Sequence, residues 1–329
     1  MRLFLTGATG FVGRNLLLAT LNGGVCEEII VAVRDREKLE RQLAAEGFPE
    51  SPPRLRILDW GDAPPPDVTH AVHCAGVLFA RNRAEYFRVN VDDTLRLVGG
   101  LPESARVLVL SSQSAGGPTP PGCEIRTSAD PDTPLTWYGE SKLAMERALA
   151  DAHPGIRLWR PPMILGPRDR ATLPLFQMAA GPLRIKPGLR AKTYSWIAVS
   201  DLVRAILRAL QRPDWPALAA PLPVCAPETI TDLELIATAA AVMDRKGLVL
   251  PLPHPLVRAV SRVVDAAPPL RVAAPSLTRD RVREIFPDRW VLDGSAFHRT
   301  FADGPFATLR DTLAETRAWY VRAGLLPAA

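Results

Sequence analysis

Tyr138 and Lys142 stand four residues apart in the run Tyr138-Gly-Glu-Ser-Lys142, at the start of a stretch whose spacing predicts a helix over Tyr138–Ala152. A spacing of four places both side chains on one helix face, one turn apart. An ammonium held beside a phenol stabilises the phenolate and lowers its pKa toward working pH. The pair then serves as a general acid/base for a carbonyl or an alcohol. Upstream, the apolar run Arg106–Leu110 ends in Ser111-Ser112-Gln113-Ser114. A hydroxyl at the carboxyl end of a strand faces the crevice where open α/β sheets bind ligands, and there it can hold a substrate oxygen. Each feature has a plainer reading: a turn after a strand for the serines, an exposed helix start for the pair. Their order along the chain, behind a glycine-rich turn, favours the chemical one.

That turn is Thr6-Gly7-Ala8-Thr9-Gly10-Phe11-Val12-Gly13, directly after the first apolar run. Gly7, Thr9, Gly10, Phe11, Val12 and Gly13 are its candidate dinucleotide ligands. One glycine allows the tight turn, one lets backbone approach a pyrophosphate, and one lets helix and strand pack closely. The helix N-terminus adds free N–H groups and a positive dipole end. An ordinary strand–helix turn is the alternative. At the end of the second apolar run stand Val33, Arg34 and Asp35. Arg34 would form charge-assisted hydrogen bonds to a 2′-phosphate, whereas Asp35, one register later, would accept from ribose hydroxyls. NADP(H) is the favoured cofactor on this reading, with NAD(H) open.

Positioning these groups requires a layered α/β chain. Strands are expected at Arg2–Thr6, Ile29–Val33, Leu55–Leu58, Thr69–His73, Arg106–Leu110 and Ile156–Trp159. Helical patterns at Phe11–Leu21, Arg36–Glu46, Ala84–Val98 and Tyr138–Ala152 alternate with them. Right-handed crossovers make this a doubly wound parallel Rossmann sheet with a smaller, discontinuous C-terminal substrate-binding domain. The expected boundaries are 1–165 for the dinucleotide domain, with 192–225 returning to it, and 166–191 plus 226–329 for the substrate domain. The second half should hold a strand near Thr193–Val199, a helix from Ser200 or Asp201 to Gln211, and a proline-rich connection over Pro213–Pro223. A capping box at Thr231-Asp-Leu-Glu234 should open a helix to about Met243, with further helices over Pro255–Asp265 and Thr308–Ala323.

Composition narrows the partners. With 329 residues, 47% hydrophobic and 23% charged, the chain has an ordinary globular mixture. The net charge is +5, but its 35 arginines and five lysines are scattered, which argues against nucleic acid. Cys26, Cys74, Cys123 and Cys225 lack metal or redox spacing, so no structural metal and a reducing compartment are expected. Glycines interrupt the first apolar run, and no uninterrupted apolar stretch reaches ~18 residues. A soluble, cytoplasmic chain without a signal peptide is the expectation.

Together with HCAG at 73–76, RVNVDDTLRLV at 88–98, RPPMILGPRDR at 160–170 and SWIAVSDLVRAI at 195–206, these motifs resemble the short-chain dehydrogenase/reductase superfamily. The likeness is to its extended branch of NAD-dependent epimerases, dehydratases and 3β-hydroxysteroid-type dehydrogenases, over about the first two-thirds of the chain. The resemblance implies Ser112, Tyr138 and Lys142 as the catalytic group, with Tyr138 and Lys142 also at the cofactor and Lys142 on the nicotinamide ribose. It implies Asp59 and Trp60 near the adenine, Cys74, Ala75 and Gly76 near the phosphate–ribose bridge, and Asn90 as a support of the site. Pro161 and Met163 would flank the nicotinamide. The chain also departs from the pattern. Ala115-Gly116-Gly117 stands where sugar-modifying members usually carry Val-Tyr-Gly, and Gln113-Ser114 where dehydratases carry an Asp–Glu pair. The activity implied is hydride transfer between the nicotinamide and a secondary alcohol or ketone. An NAD-dependent sugar-nucleotide epimerase, with Arg157, Arg160 and Arg168 for a pyrophosphate, is one alternative, and a catalytically silent dinucleotide sensor is another.

For substrate class the informative stretch is Gly247–Val272, where Leu256, Val257, Val260, Val263 and Val264 form an apolar helix face and Arg258 and Arg262 lie elsewhere. A core-facing helix is the plain reading. The sharper one is a greasy lid, or a peripheral membrane contact, over a lipophilic, sterol-like small-molecule substrate. This proline-broken segment resembles the hydroxysteroid side of the family. The helices over 84–98 and 138–152 resemble the family's dimer-forming pair, which allows a homodimer.

Overall fold

The computed structural model describes residues 1–49, 52–150, 152, 155–215, 221–301 and 304–327. Its first half runs β1 (Arg2–Thr6), α1 (Phe11–Gly23), β2 (Glu28–Val33), α2 (Arg36–Ala44), β3 (Leu55–Asp59) and β4 (His70–His73). There follow α3 (Arg83–Phe87), α4 (Asp93–Gly99), β5 (Arg106–Leu110), α5 (Gln113–Gly116), α6 (Trp137–Ala150) and β6 (Ile156–Arg160). The interior strands are continuous apolar runs because both of their faces are covered. Leu3, Leu5, Ile29, Ile30, Val31, Val107 and Leu108 are fully buried, whereas the edge strand β3 is half exposed.

The seven-stranded sheet has the order Leu222–Pro223, β6, β5, β4, β1, β2, β3. Described registers are all parallel, with Leu5 opposite both Val31 and Val72, and Val109 opposite both His73 and Leu158. Chain order reverses between β1 and β4, so the carboxyl ends of these two strands form the switch point where such sheets open a ligand crevice. Thr6 and His73 are paired there.

By contact the chain divides into two compact units. The first is Met1–Ser111, Ser141–Arg160 and Val199–Leu222; the second is Ser112–Glu140, Pro161–Ala198 and Pro223–Ala329. These divisions differ from the domain boundaries expected from sequence, since 112–140, 161–165, 192–198 and 223–225 fall in the second unit. The chain leaves the first unit's contacts as soon as β5 ends, a departure that carries no periodicity signal. The first unit's core packs Phe4, Ile30, Val107 and Val109 of the sheet against Leu97 and Val98 of α4 and Met145 and Leu149 of α6. The second has a separate core around Leu165, Phe176, Trp196, Ile230, Leu313 and Tyr320.

Most expected elements form within one to three residues of their sequence bounds, including the Thr231–Glu234 capping box, whose two reciprocal bonds are both made. Two differ. The helix expected over Ala84–Val98 widens into a π-turn at Arg88–Asp92, between α3 and α4. The strand expected over Thr193–Val199 splits at Ser195: Thr193–Tyr194 pairs with Ile230–Thr231 and Arg289–Trp290, and Trp196–Ala198 with Met163–Leu165. Ser195 makes the break by donating its N–H to Trp290 O and accepting Leu292 N–H on its hydroxyl. Helix α6 is described to Ala150, and Ala152, expected in it, lies in a turn. Of Pro213–Pro223, residues 216–220 lie outside the described residues, as does residue 151.

Candidate active site

In the first unit the glycine turn opens a cavity of about 150 Å³. Gly7, Ala8, Thr9 and Gly10 line it on one side, Val33, Arg34 and Trp60 on another, and Cys74, Ala75 and Gly76 close it. Gly7 has φ +76°, and a Cβ there would stand 2.7 Å from Ala75 N; a Cβ on Gly13 would stand 2.2 Å from Gly7 O. Only glycine fits at either place. Helix α1 starts at Phe11 on the N-cap Gly10, with no side-chain cap and no acid in its first turn. Its leading N–H groups, including those of Phe11, Val12 and Gly13, therefore meet no side-chain competitor for an anion. A dinucleotide's pyrophosphate fits this cradle.

At the far end of β2 the two candidate readings separate. Asp35 accepts Lys38 N–H at 2.8 Å as the N-cap of α2, so its carboxylate serves the helix. Arg34 faces the cavity, with its guanidinium 4.5 Å from the Trp60 ring and bonded to the Asp93 carboxylate at 2.7 Å. Asp59 is exposed, 3.8 Å from Arg36, and is not part of the cavity wall.

Beneath the cavity lies a buried polar chain that sequence reasoning did not resolve. Thr94 donates its hydroxyl to Asn90 O, so at 2.9 Å it accepts from His73 Nε2. His73 Nδ1 is then the acceptor from the Thr6 hydroxyl at 2.9 Å, and Thr6 in turn accepts Ala75 N–H. Burial drives the His73 pKa down to about 3, so the ring is neutral. Asn90, at the centre of the π-turn, accepts Val77 N–H and donates to Val77 O and to the Ser141 hydroxyl. It thereby ties the 74–77 loop to α6. The signal available in sequence was that Thr6 and His73 each end a strand.

One turn before Glu146 on α6, Lys142 is 5% exposed and donates from Nζ to Leu110 O at 3.0 Å. Its Nζ lies 3.3 Å from where a Gly76 Cβ would stand, which places the ammonium against Gly76, one of the residues that line the cavity. Burial lowers its pKa to about 8, against the opposing pull of the Glu146 carboxylate. Glu146 is itself buried and held by Arg160 Nε at 2.9 Å. Burial pushes the Cys74 thiol up to about 12, so it stays protonated.

The second unit holds the other candidates. Of the four residues after β5, Ser111 and Gln113 are buried while Ser112 is half-buried. Ser112 Oγ accepts Ser114 N–H at 3.1 Å, which leaves its own proton free to donate. A Cβ on Gly139 would stand 2.4 Å from Ser114 O, so the serine turn is packed against the residue following Tyr138. The Tyr138 ring is covered by the Arg281 guanidinium at 5.1 Å. Arg281 pairs with Glu284, Glu284 accepts the Thr136 hydroxyl at 2.7 Å, and Asp280 accepts Trp137 N–H. No local motif points to Arg281. Pro161 accepts Gln113 N–H at 2.8 Å, and Met163 packs on the second core. Of the arginines considered for a pyrophosphate, Arg157 bonds Trp215 O and Arg160 bonds Glu146. Among the described residues no cluster of metal-ligating side chains occurs, and no helix is long and apolar enough to cross a membrane.

A family model for the NAD dependent epimerase/dehydratase family matches residues 3–217. The chain belongs to this family. It is an NAD(P)-dependent enzyme of the extended short-chain dehydrogenase/reductase type. This epimerase/dehydratase family member is 28% identical over 327 residues to a ceramide reductase of Caulobacter vibrioides, covering 98% of this chain and 95% of the relative. It is 26% identical over 204 residues to a 4-hydroxy-2-methyl-3-oxo-4-farnesyl-3,4-dihydroquinoline-1-oxide ketoreductase of Stigmatella aurantiaca, covering 60% and 58%. The UDP-glucuronic acid 4-epimerase of Bacillus cereus, solved in complex with NAD, shares the fold at a TM-score of 0.73 and 16% identity over 100% of this chain and 99% of that one.

Proposed function

We propose that this enzyme transfers hydride between NADP(H) and a secondary alcohol or ketone on a lipophilic molecule. The observation that carries the reading is the Lys142 ammonium, buried against Gly76 of the glycine-loop cavity and one helical turn from Tyr138. When bound, the nicotinamide supplies or accepts the hydride. The α1 N-terminus and the 74–76 backbone would hold the phosphates, Trp60 the adenine, Arg34 the 2′-phosphate, Lys142 the ribose hydroxyls, and Pro161 and Met163 the nicotinamide. In reduction Tyr138 gives its hydroxyl proton to the substrate oxygen and regains it from solvent; in oxidation it takes that proton back. Ser112 donates to the same oxygen. Lys142, and Arg281 over the ring, favour the phenolate that remains.

Two relatives named as reductases of lipid-bearing molecules support a lipophilic substrate, and the near full-length one, named for ceramide, favours a ceramide-like lipid over a sterol. The engagement of Arg157 and Arg160 within the fold weakens the sugar-nucleotide alternative. The test offers a long-chain 3-keto lipid, a 3-ketosteroid and a UDP-sugar with NADPH or NADH, read by nicotinamide absorbance. Consumption of NADPH with the lipid ketone is expected. Tyr138→Phe should lower turnover about 10²- to 10⁴-fold while NADPH binding persists. Inversion of the UDP-sugar without net cofactor consumption would establish an epimerase instead, and indifference to Tyr138→Phe a dinucleotide-binding protein. Arg34→Asp should move preference toward NADH; an unchanged ratio removes the role given to Arg34.

A further inference from the structure

Large aliphatic side chains left in solvent are not scattered over this molecule. Of the fourteen such exposed side chains among the described residues, ten fall in 183–189 and 248–272, all in the second unit. Register explains the first group. Leu183–Pro187 and Leu248–Leu252 form a parallel two-stranded ribbon in which Leu248 lies opposite Leu183 and Leu250 opposite Ile185. The alternating residues Arg184 and Lys186 are buried, so these four aliphatic side chains share the outer face. One residue after the ribbon begins the helix His254–Ala266, which buries Val257, Ser261 and Val264 and leaves Leu256, Val260 and Val263 outside. The short helix Pro268–Ala273 that follows has no buried residue at all, and its Leu270 and Val272 are 43% and 83% exposed.

The same helix carries the opposite chemistry on its other outward flank. Leu135, Arg258, Arg262, Arg279, Arg283 and Phe286 line a cavity of about 460 Å³. Among the described residues none of these four arginines makes an ion pair, and Arg258 instead lies 4.8 Å from the Phe286 ring. The neighbouring carboxylates are engaged elsewhere: Asp265 accepts Arg279 N–H, Asp280 accepts Trp137 N–H, and Glu284 holds Thr136 and Arg281. Four arginines without a salt bridge in one recess, with only Arg283 under the charge of a carboxylate, Asp280, call for a phosphate-bearing anion. Their continuity with an apolar ridge calls for that anion at the surface of hydrocarbon. Arg258 and Arg262 on one side of the outward arc and Leu256, Val260 and Val263 on the other are the division expected of a helix lying in a bilayer interface.

We propose that the ribbon, the two helices 254–273 and the arginine cavity form a docking surface for an anionic phospholipid bilayer, with lipid phosphates in the cavity and the aliphatic ridge in the acyl boundary. Leu135, three residues before Tyr138, and Val282, next to Arg281, are both in the cavity wall, so docking brings a membrane-dissolved ketone to the tyrosine's end of this unit. That purpose rests on the lipid reading of the substrate, whereas the docking itself does not need turnover.

The test is flotation of the intact chain with vesicles of phosphatidylcholine alone or with phosphatidylglycerol added, without substrate. Binding should be at least tenfold stronger with phosphatidylglycerol and should fall with salt. Arg258→Gln with Arg262→Gln should weaken it by roughly 25-fold, at about fivefold per arginine. Val263→Asp should weaken it at low salt too, and all these exposed variants should keep the wild-type melting temperature. Absence of flotation, equal binding to both vesicles, or variants that bind like wild type would each overturn the proposal. So would tight binding of glycerol 3-phosphate by a chain that ignores vesicles. A chain that floats as expected but reduces no lipid ketone retires the substrate reading alone.

Discussion

Lys142 is a charge kept where water would not leave it. Burial lowers its pKa from 10.5 to about 8, so below pH 8 the folded chain carries a desolvated ammonium at a penalty on the order of 3 kcal/mol. The unfolded chain holds the proton up to about 10.5, so it binds more protons than the native state between pH 8 and 10.5, and stability contributed by this residue rises across that window. Lys142→Met should therefore lose activity and yet melt above wild type at pH 7, with the difference shrinking toward pH 10; calorimetry across that range measures it. A gap that stays constant with pH would remove the account of burial. Tyr138 and Lys142 were readable because their relation is one turn of helix. Arg281 was not, because it meets Tyr138 only through a contact spanning some 140 residues, closed by Asp280 on Trp137. Burial, too, is invisible in a string of letters: it is what separates Ser112 from Ser111.

Among the elements, the turn from β1 into α1 makes the sharpest claim. A Cβ on Gly13 would stand 2.2 Å from Gly7 O and 2.6 Å from Gly7 C, which backbone must move to relieve, while one on Gly10 meets Gly7 O at 3.2 Å. Gly13→Ala should lower stability by about 1–3 kcal/mol and abolish dinucleotide binding. Gly10→Ala should keep the fold and weaken binding only, as titration calorimetry beside urea unfolding would show. The three glycines were legible by spacing, yet only the structure tells which contact each one permits. The π-turn at Arg88–Asp92 and the break at Ser195 follow the same logic: Asn90 and Ser195 take up bonds with distant partners that outweigh the local period.

At the scale of the whole molecule, binding of a dinucleotide to the folded chain alone must raise its unfolding midpoint. At a hundredfold excess over Kd the gain is about 2.7 kcal/mol, or roughly 5 °C for a chain of this size. NADPH should give the larger shift in wild type and lose that advantage in Arg34→Asp, and equal shifts from both nucleotides would point away from a bound 2′-phosphate. The sequence by itself determined six strands of the sheet and its doubly wound class, the phosphate turn and the Tyr–Lys pair, because strand alternation, glycine offsets and helical periods are properties of near neighbours. The strand order and the seventh strand, Leu222–Pro223, it did not determine. Tertiary structure alone decided that Arg34 faces the cavity, that His73 is a neutral strut, and that four arginines without a salt bridge line one recess of the second unit. Those outcomes depend on which side chains lose water together, and that is settled only when segments far apart in the chain are packed.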